Sequence, residues 1–260
     1  MSGMSGMSEV MSLETNQAET TATRVIPIVT PPPTRRAVER YVNPYLRRAA
    51  RRQYHRERDT LVRRYAWAIP NARALRVIAR YAAPAGLVEV GAGTGYWASE
   101  LERLGVDVLA YDMRPPQQRN HSNGYFRRDT DARTGYPLAD GRRVIGTTFT
   151  TVLRGGTPQA GKHADRALLL CWPPYRTKMA ATALKHYLKA GGQTVIYVGE
   201  GNGGCTGDDR FHDLLAQQFE EVETISIPRW NGMFDELFIY RRKPAQATGQ
   251  AAKQTPEVAA

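Results

Sequence analysis

Residues 87–96 read Leu87-Val88-Glu89-Val90-Gly91-Ala92-Gly93-Thr94-Gly95-Tyr96. A short apolar run with one carboxylate leads directly into three alternating glycines. This order is typical of the first strand, the ligand-binding turn and the first helix of a nucleotide-binding α/β domain. Glycine is favoured in such a turn because the backbone takes unusual dihedral angles and because a Cβ would keep the backbone away from a ligand. The stretch therefore predicts an α/β sheet with a ligand site at its first turn.

The second predicted strand ends at an acidic residue. It covers residues 106–111 and is followed by Asp112, about twenty residues beyond the glycines, which is the offset expected for an acid that holds a ribose. A carboxylate at that position can accept hydrogen bonds from both ribose hydroxyls. Asp112 is therefore a candidate cofactor ligand.

The spacing of the glycines separates two cofactor classes. The nicotinamide and flavin fingerprint needs a glycine at position 96, where this chain has Tyr96. The spacing acid-x-Gly-x-Gly-x-Gly, with Glu89 two residues before Gly91, instead resembles motif I of the class I S-adenosylmethionine-dependent methyltransferases. That resemblance implies S-adenosylmethionine as the cofactor and a set of residues that hold it: Glu89, Gly91, Gly93, Gly95, Tyr96 and, on the ribose, Asp112. It also implies a Rossmann-like sheet that ends in an antiparallel hairpin.

A second motif follows the predicted fourth strand at residues 167–171 and reads Trp172-Pro173-Pro174-Tyr175. It resembles motif IV of the amino-methyltransferases, in which Asp or Asn is followed by two prolines and an aromatic residue. There the polar side chain and a carbonyl of the loop accept hydrogen bonds from the target amine, while the aromatic residue stacks on a planar substrate. Trp172 departs from this pattern because an indole offers a donor and a π-face but no acceptor. These four residues are catalytic candidates, and the alternative for Trp172 and Tyr175 is a pair of aromatic side chains that close an edge of the core.

With the segment 64–70, the loop Cys171-Trp172-Pro173-Pro174-Tyr175 also resembles a bacterial and phage branch of the same family. That further resemblance implies no particular substrate.

Glu200 is the last catalytic candidate. It follows a predicted fifth strand at residues 194–199 and precedes a glycine-rich loop at 201–207. Because open α/β sheets bind ligands beyond the carboxyl ends of their strands, Glu200 is a candidate general base or a group that positions a donor of the substrate. The alternative is an ordinary carboxylate at a strand end.

The rest of the predicted sheet is less regular. One strand is predicted around residues 146–153, followed by Arg154-Gly155-Gly156-Thr157 where the family usually places an acid near the adenine. Two further strands, at residues 222–228 and 237–241, are predicted to form the final hairpin, with Asn231-Gly232 as a turn between them. His212, on a helix that begins at Asp208 and Asp209, is predicted to be structural or solvated.

Four segments are predicted along the chain: a disordered tail at 1–33, a basic helical extension at 34–84, a methyltransferase domain at 85–242 and a disordered tail at 243–260. Neither tail has an apolar face that could offset the entropy of ordering it. No apolar run approaches the roughly 20 residues that cross a bilayer, and the N-terminus lacks the pattern of a signal peptide. We therefore expect no membrane partner and a cytoplasmic protein. Two cysteines, Cys171 and Cys205, do not make a disulfide framework, and no structural metal is predicted.

The basic extension favours DNA or RNA as a partner. Asn43 and Pro44 are typical of a helix start, and eight arginines follow: Arg47, Arg48, Arg51, Arg52, Arg56, Arg58, Arg63 and Arg64. The net charge of the whole chain is +11. A cationic helix can follow a phosphate backbone, and the alternative is a solvated helix face.

Three hypotheses follow. The first is an S-adenosylmethionine-dependent methyltransferase that acts on nucleic acid or, as alternatives, on a small planar molecule or a protein. The second is a nucleic-acid-binding protein with a catalytically inactive cofactor-binding domain, which the missing acceptor at Trp172 suggests. The third, a nicotinamide oxidoreductase, is disfavoured by Tyr96.

Overall fold

The computed structural model describes residues 54–55, 58–59, 61–115 and 148–244. The predicted tail at 1–33, the arginines from Arg47 to Arg56 and all but the first two residues of the predicted tail at 243–260 lie outside these ranges. Those predictions stay predictions, and so do the boundaries of the four predicted segments.

The centre of the chain is a mixed sheet of seven strands. They are β1 (Leu87–Val90), β2 (Val108–Asp112), β3 (Leu153–Arg154), β4 (Ala167–Cys171), β5 (Thr194–Gly199), β6 (Phe219–Ser226) and β7 (Glu236–Arg242), and their order across the sheet is β3-β2-β1-β4-β5-β7-β6. The pairs among β1 to β5 are parallel, whereas β7 runs antiparallel to both β5 and β6. The predicted Rossmann-like α/β sheet with a final antiparallel hairpin is therefore confirmed.

Helix α1 (Ala72–Ala82) precedes β1, and residues 61–64 before it are also helical. Four further helices each lie between two strands of the chain: α2 (Tyr96–Glu102), α3 (Pro158–Lys162), α4 (Met179–Lys189) and α5 (Asp209–Gln218). The start of α1 shows why the sequence folds as predicted there. Asn71 caps the helix by accepting the N–H of Ala74 at 2.8 Å, which satisfies one of the free donors of the first turn. Leu75 and Ile78 are buried, and the helix ends before Pro84, as expected from its missing N–H.

The strands carry apolar residues on both faces because helices cover the sheet on both sides. In β1, Leu87 belongs to one core cluster with Trp97 of α2, while Val88 belongs to a second cluster with Leu184 of α4. Every residue of β1 and β5 is buried. Burial on both faces explains why these strands read as nearly continuous apolar runs in the sequence.

The strand order reverses between β1 and β4. On one side of this point β2 and then β3 lie next to β1, and on the other side β5 lies next to β4, toward the opposite edge of the sheet. In open α/β sheets such a reversal opens a crevice at the carboxyl ends of the two strands, and ligands bind there. Residues 91–95, which we call the glycine turn, follow β1, and residues 172–175, which we call the Trp172 loop, follow β4; Asp112 ends β2. All three motifs therefore lie at this crevice.

Two predictions need correction. The strand predicted at 146–153 is only the two-residue β3, because residues 148–152 leave the sheet and cross over the glycine turn, where the N–H of Phe149 donates to the carbonyl of Thr94 at 2.9 Å. Residues 146 and 147 lie outside the described ranges. The hairpin strands are β6 and β7, so β6 begins and ends earlier than predicted.

The Asn-Gly turn is present but lies inside a nine-residue connection. The N–H of Met233 donates to the carbonyl of Trp230 at 3.0 Å, and Gly232 has a φ of 79°. The connection is longer than a two-residue hairpin because Trp230 leaves the sheet and packs against Tyr54 and Val62. None of the helices in the described ranges is long and apolar enough to span a membrane.

Candidate active site

A cavity of about 600 Å³ opens at the strand-order reversal. This volume lies within the range of small-molecule sites. The glycine turn, Asp112 and the start of the Trp172 loop line it, together with residues 62 and 65–67, which precede α1 in the chain. The sequence predicted the first three of these groups and missed the last.

The glycine turn needs glycine for two separate reasons. Gly91, Gly93 and Gly95 have φ values of 86°, 55° and 71°, a region that residues with a Cβ rarely adopt. A Cβ on Gly91 would also lie 2.5 Å from Cε of Met179, which lines the cavity. The turn therefore exposes bare backbone to the cavity.

Gly91→Ala is expected to weaken binding of the S-adenosylmethionine that motif I implies far more than it destabilises the fold. The positive φ costs roughly 1 kcal/mol for alanine, and the added methyl also enters the space that Met179 borders. Gly105→Ala is the matched control because Gly105 has a φ of 82° and open space where an added methyl group would lie, so only the φ cost applies. Thermal unfolding and ligand calorimetry of both variants measure the two effects. Equal loss of ligand affinity in the two variants would contradict this prediction.

Asp112 fastens the glycine turn to β2. Its Oδ2 accepts the N–H of Gly93 at 3.0 Å, and its Oδ1 accepts the N–H of Arg114 at 2.8 Å. Each carboxylate oxygen has a further lone pair for a ligand. The position of Asp112 at the cavity fits the predicted contact with a ribose, which stays a prediction.

Glu89 is the most unusual charged residue of the cavity. Its side chain is only 2% exposed, and its Oε2 has no hydrogen-bond partner among the described residues. Burial and the nearby carboxylate of Asp112 raise the pKa of Glu89 to about 8. A buried carboxyl with an unpaired oxygen is costly unless a donor or a cation meets it. The geometry therefore favours a ligand that brings a hydrogen-bond donor or a positive group beside Glu89.

Trp172 is held in a strained conformation by three contacts. Its φ is 52°, in the left-handed region that is uncommon for a bulky residue. Its backbone N–H donates to the carbonyl of Val198 at 2.7 Å, its Nε1 donates to Oδ1 of Asp235 at 2.8 Å, and its ring stacks on Trp67 with centroids 4.3 Å apart. Such strain persists only where the surroundings fix it, and it occurs often at functional sites.

Asp235 was not singled out in the sequence. It is 1% exposed, and burial raises its pKa to about 6 although the indole N–H of Trp172 acts in the opposite direction. Its Oδ2 has no hydrogen-bond partner among the described residues. The pairing joins residues 63 positions apart, so no local pattern could have indicated it.

Of the other three residues of the Trp172 loop, two line the cavity and one does not. Pro173 and Pro174 line the cavity, whereas Tyr175 does not; it is 39% exposed and its hydroxyl lies 3.5 Å from Asp209. The carbonyl of Pro173 accepts the N–H of Gly207 at 2.9 Å. The loop carbonyl that the resemblance implies as an acceptor thus has one donor within the protein and a second lone pair.

Glu200 lies behind this loop and does not line the cavity. Its two oxygens accept the N–H groups of Cys205 and Phe234, at 2.7 and 2.8 Å. Although burial acts to raise the pKa of Glu200, these bonds hold it below its ordinary value. The geometry favours a role in fixing two loops over proton transfer. His212 is buried, with Nε2 2.9 Å from the carbonyl of Thr206, in agreement with a structural position.

Residues 61–69 form a segment that we call the strap, which covers one side of the cavity. Three side chains of the core donate to strap carbonyls: Thr94 to Tyr65, Trp230 to Trp67 at 2.8 Å, and Trp97 to Ala68 at 3.1 Å. These bonds connect parts of the chain 29 to 163 residues apart. The strap presents Val62, Tyr65 and Trp67 to the cavity.

Aromatic rings and guanidinium groups meet along the strap. Tyr65 packs on Tyr96 and Phe149, with centroids 5.2 and 5.4 Å apart. The guanidinium of Arg64 lies 5.2 Å from the ring centroid of Tyr65, and that of Arg58 lies 5.4 Å from Trp67. Tyr96 also lines the cavity. Its predicted contact with a cofactor stays a prediction.

The opposite end of the cavity is mostly backbone. Gly155, Gly156 and Thr157 line it beside Met113, and the N–H of Gly155 donates to the carbonyl of Asp112 at 2.9 Å. This is the place where the resemblance implies an acid near an adenine. Residues 155–157 line this end of the cavity and carry no carboxylate.

No family model matches the sequence, and no curated protein matches it. Solved structures do match. 1,6-Didemethyltoxoflavin-N1-methyltransferase from Burkholderia thailandensis, with bound 1,6-didemethyltoxoflavin and S-adenosylhomocysteine, is 18% identical over 83% of this chain and 92% of that chain, with a TM-score of 0.45. Magnesium protoporphyrin IX methyltransferase from Synechocystis PCC 6803, with bound S-adenosylmethionine, is 12% identical over 80% and 90%, with a TM-score of 0.39.

A third similar structure is the N-methyltransferase NodS from Bradyrhizobium japonicum, which is 12% identical over 66% of this chain and 96% of that chain, with a TM-score of 0.39. These similarities are distant in both sequence and superposition, and no activity is assigned to the chain from them. The bacterial and phage branch suggested by the Cys-Trp-Pro-Pro-Tyr loop stays a prediction.

Proposed function

We propose that the protein is an S-adenosylmethionine-dependent methyltransferase. The observation that carries the proposal is the buried carboxyl of Glu89, whose free oxygen stands beside a bare glycine turn in the same cavity as Asp112. A sulfonium nucleoside with an amino-acid tail carries positive charge at one end and two ribose hydroxyls in its middle. The two carboxyl groups and the open backbone match these features.

The residues present fit this cofactor better than a nicotinamide dinucleotide. Position 96 carries a tyrosine that is 2% exposed and packs in the core, so the third glycine of the dinucleotide fingerprint is absent from the helix start. Glu89, Gly91, Gly93, Gly95 and Tyr96 would hold the methionine end, Asp112 the ribose and residues 155–157 the adenine.

When bound, the cofactor supplies a methyl group on a positively charged sulfur. The residues of the chain would contribute by position: the glycine turn and Asp112 fix the nucleoside, and Trp172 and Trp67 exclude water beside the methyl carbon. Aromatic faces also stabilise a cation at short range. Proximity and alignment would then supply much of the rate. Pro173 and Pro174 would keep the loop beside the methyl acceptor rigid, because proline fixes the backbone φ.

On the basis of the sequence, we also propose a nucleic-acid acceptor and a cytoplasmic location. Most of the arginines that suggest a nucleic-acid partner lie outside the described residues. The second candidate function, a nucleic-acid-binding protein without turnover, is favoured by one specific observation: the Trp172 side chain, which stands where the resemblance implies an acceptor, donates its indole N–H to Asp235 inside the protein.

Calorimetry with S-adenosylmethionine followed by a turnover assay tests the proposal. The protein is expected to bind the cofactor and to transfer labelled methyl groups to one fraction of a fractionated cell extract. Binding without transfer to any fraction would support the second candidate, and absence of binding would refute the proposal. If the labelled fraction is DNA or RNA, affinity for it should fall steeply with added salt, whereas a flat salt response would exclude a nucleic-acid acceptor.

A further inference from the structure

Three loops join into one continuous surface beside the cavity. The carboxylate of Glu200 links two of them, because its oxygens accept the N–H groups of Cys205 and Phe234 at 2.7 and 2.8 Å. The third is the Trp172 loop, in which the carbonyl of Pro173 accepts the N–H of Gly207 at 2.9 Å. Pro173 lines the cavity, so this surface borders it. We call the surface the rim and define it by its residues, 173–178, 201–207 and 233–235.

Two aromatic side chains of the rim are exposed. Phe234 is 68% exposed and Tyr175 is 39% exposed. The backbone of Phe234 is nevertheless fixed, because its N–H is bonded to Glu200 and because the next residue, Asp235, is buried and accepts the indole N–H of Trp172. An exposed aromatic ring on a fixed backbone is suited to stacking on a flat partner. Unpaired bases stack on such rings in proteins that bind single strands.

Two exposed cations of the rim have no partner of opposite charge. They are Arg176 and Lys178, and none of the ion pairs among the described residues includes either of them. In the chain they alternate with Thr177 and Met179, which line the cavity. Cations in this position can contact the phosphates of a strand that crosses the opening of the cavity.

The charges on the two sides of the rim are unequal. Two carboxylates and one guanidinium lie at the start of α5, next to the 201–207 segment, those of Asp208, Asp209 and Arg210. The strap contacts the Trp172 loop through the stacked ring of Trp67 and carries the exposed cation of Arg64. We therefore expect the phosphates of a bound strand on the strap side of the rim rather than at the start of α5.

The shape of the cavity excludes a paired base. A base can enter a cavity of about 600 Å³ only after it has left the stack of a duplex. Resting on the nucleic-acid acceptor proposed above, we propose that the rim binds an unpaired nucleic-acid strand. Phe234 and Tyr175 stack on bases that neighbour the one in the cavity, and Arg176 and Lys178 contact the phosphates between them.

The preference for a single strand is tested with one oligonucleotide sequence of about 15 nucleotides, within the usual site sizes of single-strand binders. It is prepared as RNA and as DNA, each alone and annealed to its complement. Fluorescence anisotropy measures binding to the full-length protein saturated with S-adenosylhomocysteine. At least one single strand should bind about tenfold more tightly than its duplex, because the rings of the rim reach only unpaired bases. Duplexes that bind as tightly as both single strands would overturn the proposal.

Phe234→Ala should weaken binding of the preferred single strand by about tenfold, which lies within the range for one lost base–aromatic stack. Phe234→Leu should lose as much, because it keeps an apolar side chain but no ring, and Phe234→Trp should keep the affinity. Val222→Ala is the control, since Val222 is 43% exposed on β6, and it should leave binding unchanged. Full affinity in Phe234→Leu would show that no base stacks there.

The double variant Arg176→Gln with Lys178→Gln tests the phosphate contacts. The slope of log affinity against log salt should become less steep by about 1.4, because each phosphate contact to a single strand contributes about 0.7. Lys185→Gln with Lys189→Gln is the matched control, since it removes two exposed cations further along α4. An equal change of slope in both double variants would mean that only the net charge matters, and the rim would not be the binding surface.

The failure of this proposal and that of the proposed function are distinguishable. If neither single strands nor duplexes bind while S-adenosylhomocysteine does, the rim proposal is overturned and the acceptor is a small molecule or a protein. If S-adenosylhomocysteine does not bind, the methyltransferase function is refuted. Single-strand binding that depends on Phe234, measured without that ligand, would then still support the rim as a nucleic-acid surface.

Discussion

Asp112→Ala is expected to lower the affinity for S-adenosylhomocysteine by at least about 100-fold. A hydrogen bond to a charged group contributes about 1.5 to 3 kcal/mol, and every 1.4 kcal/mol corresponds to a factor of ten. The variant would lose the proposed bonds to the two ribose hydroxyls and also the bond that holds Gly93. Calorimetry measures the loss, and Asp112→Asn should fall between the variant and the wild type because its amide keeps one acceptor oxygen.

A ligand without the 2′-hydroxyl separates the direct contact from the support of the turn. The wild type should bind the 2′-deoxy analogue of S-adenosylhomocysteine more weakly than the parent compound, whereas Asp112→Ala should bind both equally. If the variant still distinguishes the two ligands, Asp112 acts through the glycine turn alone. Asp213→Ala is the control, since Asp213 is exposed on α5, and it should leave both affinities unchanged.

The sequence predicted those parts of the site whose residues have a characteristic chemistry at a characteristic spacing along the chain. The glycine turn and Glu89 lie within seven residues of one another, and their spacing reflects a local conformation that few residues can adopt. Asp112 follows from the regular length of a strand–helix–strand unit. Burial on both faces likewise made β1, β4 and β5 visible as apolar runs.

The parts that the sequence missed depend on contacts between distant segments. The strap has no helical spacing of its own between Tyr65 and Pro70, and it lies over the cavity because Thr94, Trp97 and Trp230 bind its carbonyls. Asp235 lies just before β7 and gains its importance from Trp172. The tryptophans at 97 and 230 were available as a signal, since a buried indole N–H usually finds an acceptor, but the sequence does not say which acceptor.

Glu89→Gln is expected to stabilise the protein at neutral and higher pH. The pKa of Glu89 is raised to about 8 in the folded state, from 4.5, so the folded protein keeps a proton that the unfolded chain releases. The free energy of unfolding of the wild type should therefore fall as pH rises from about 4.5 to about 8, by up to about 5 kcal/mol. An amide mimics the protonated carboxyl and does not titrate, so the variant should lack this loss.

Urea unfolding between pH 4 and pH 9 measures this effect as the difference between wild type and variant. The difference matters because burial also raises the pKa of Asp235, to about 6, so the wild-type curve contains both groups. Below pH 4.5 the two proteins should be equally stable. Glu220→Gln, an exposed position on β6, serves as the control and should follow the wild type. A stability difference that is the same at every pH would show that Glu89 is ionised in the folded protein.

The same buried proton should leave when a cationic ligand binds. A positive group placed beside Oε2 of Glu89 favours the ionised carboxylate, so binding of S-adenosylmethionine at pH 7 should release up to about one proton from Glu89. Calorimetry in two buffers with different ionisation enthalpies measures the number of protons released. Glu89→Gln should release correspondingly fewer and bind the cofactor more weakly, because it retains the shape of the side chain but lacks the charge. Equal proton release from both proteins would mean that the cation is held elsewhere in the cavity, and the argument that places the methionine end beside Glu89 would then be wrong.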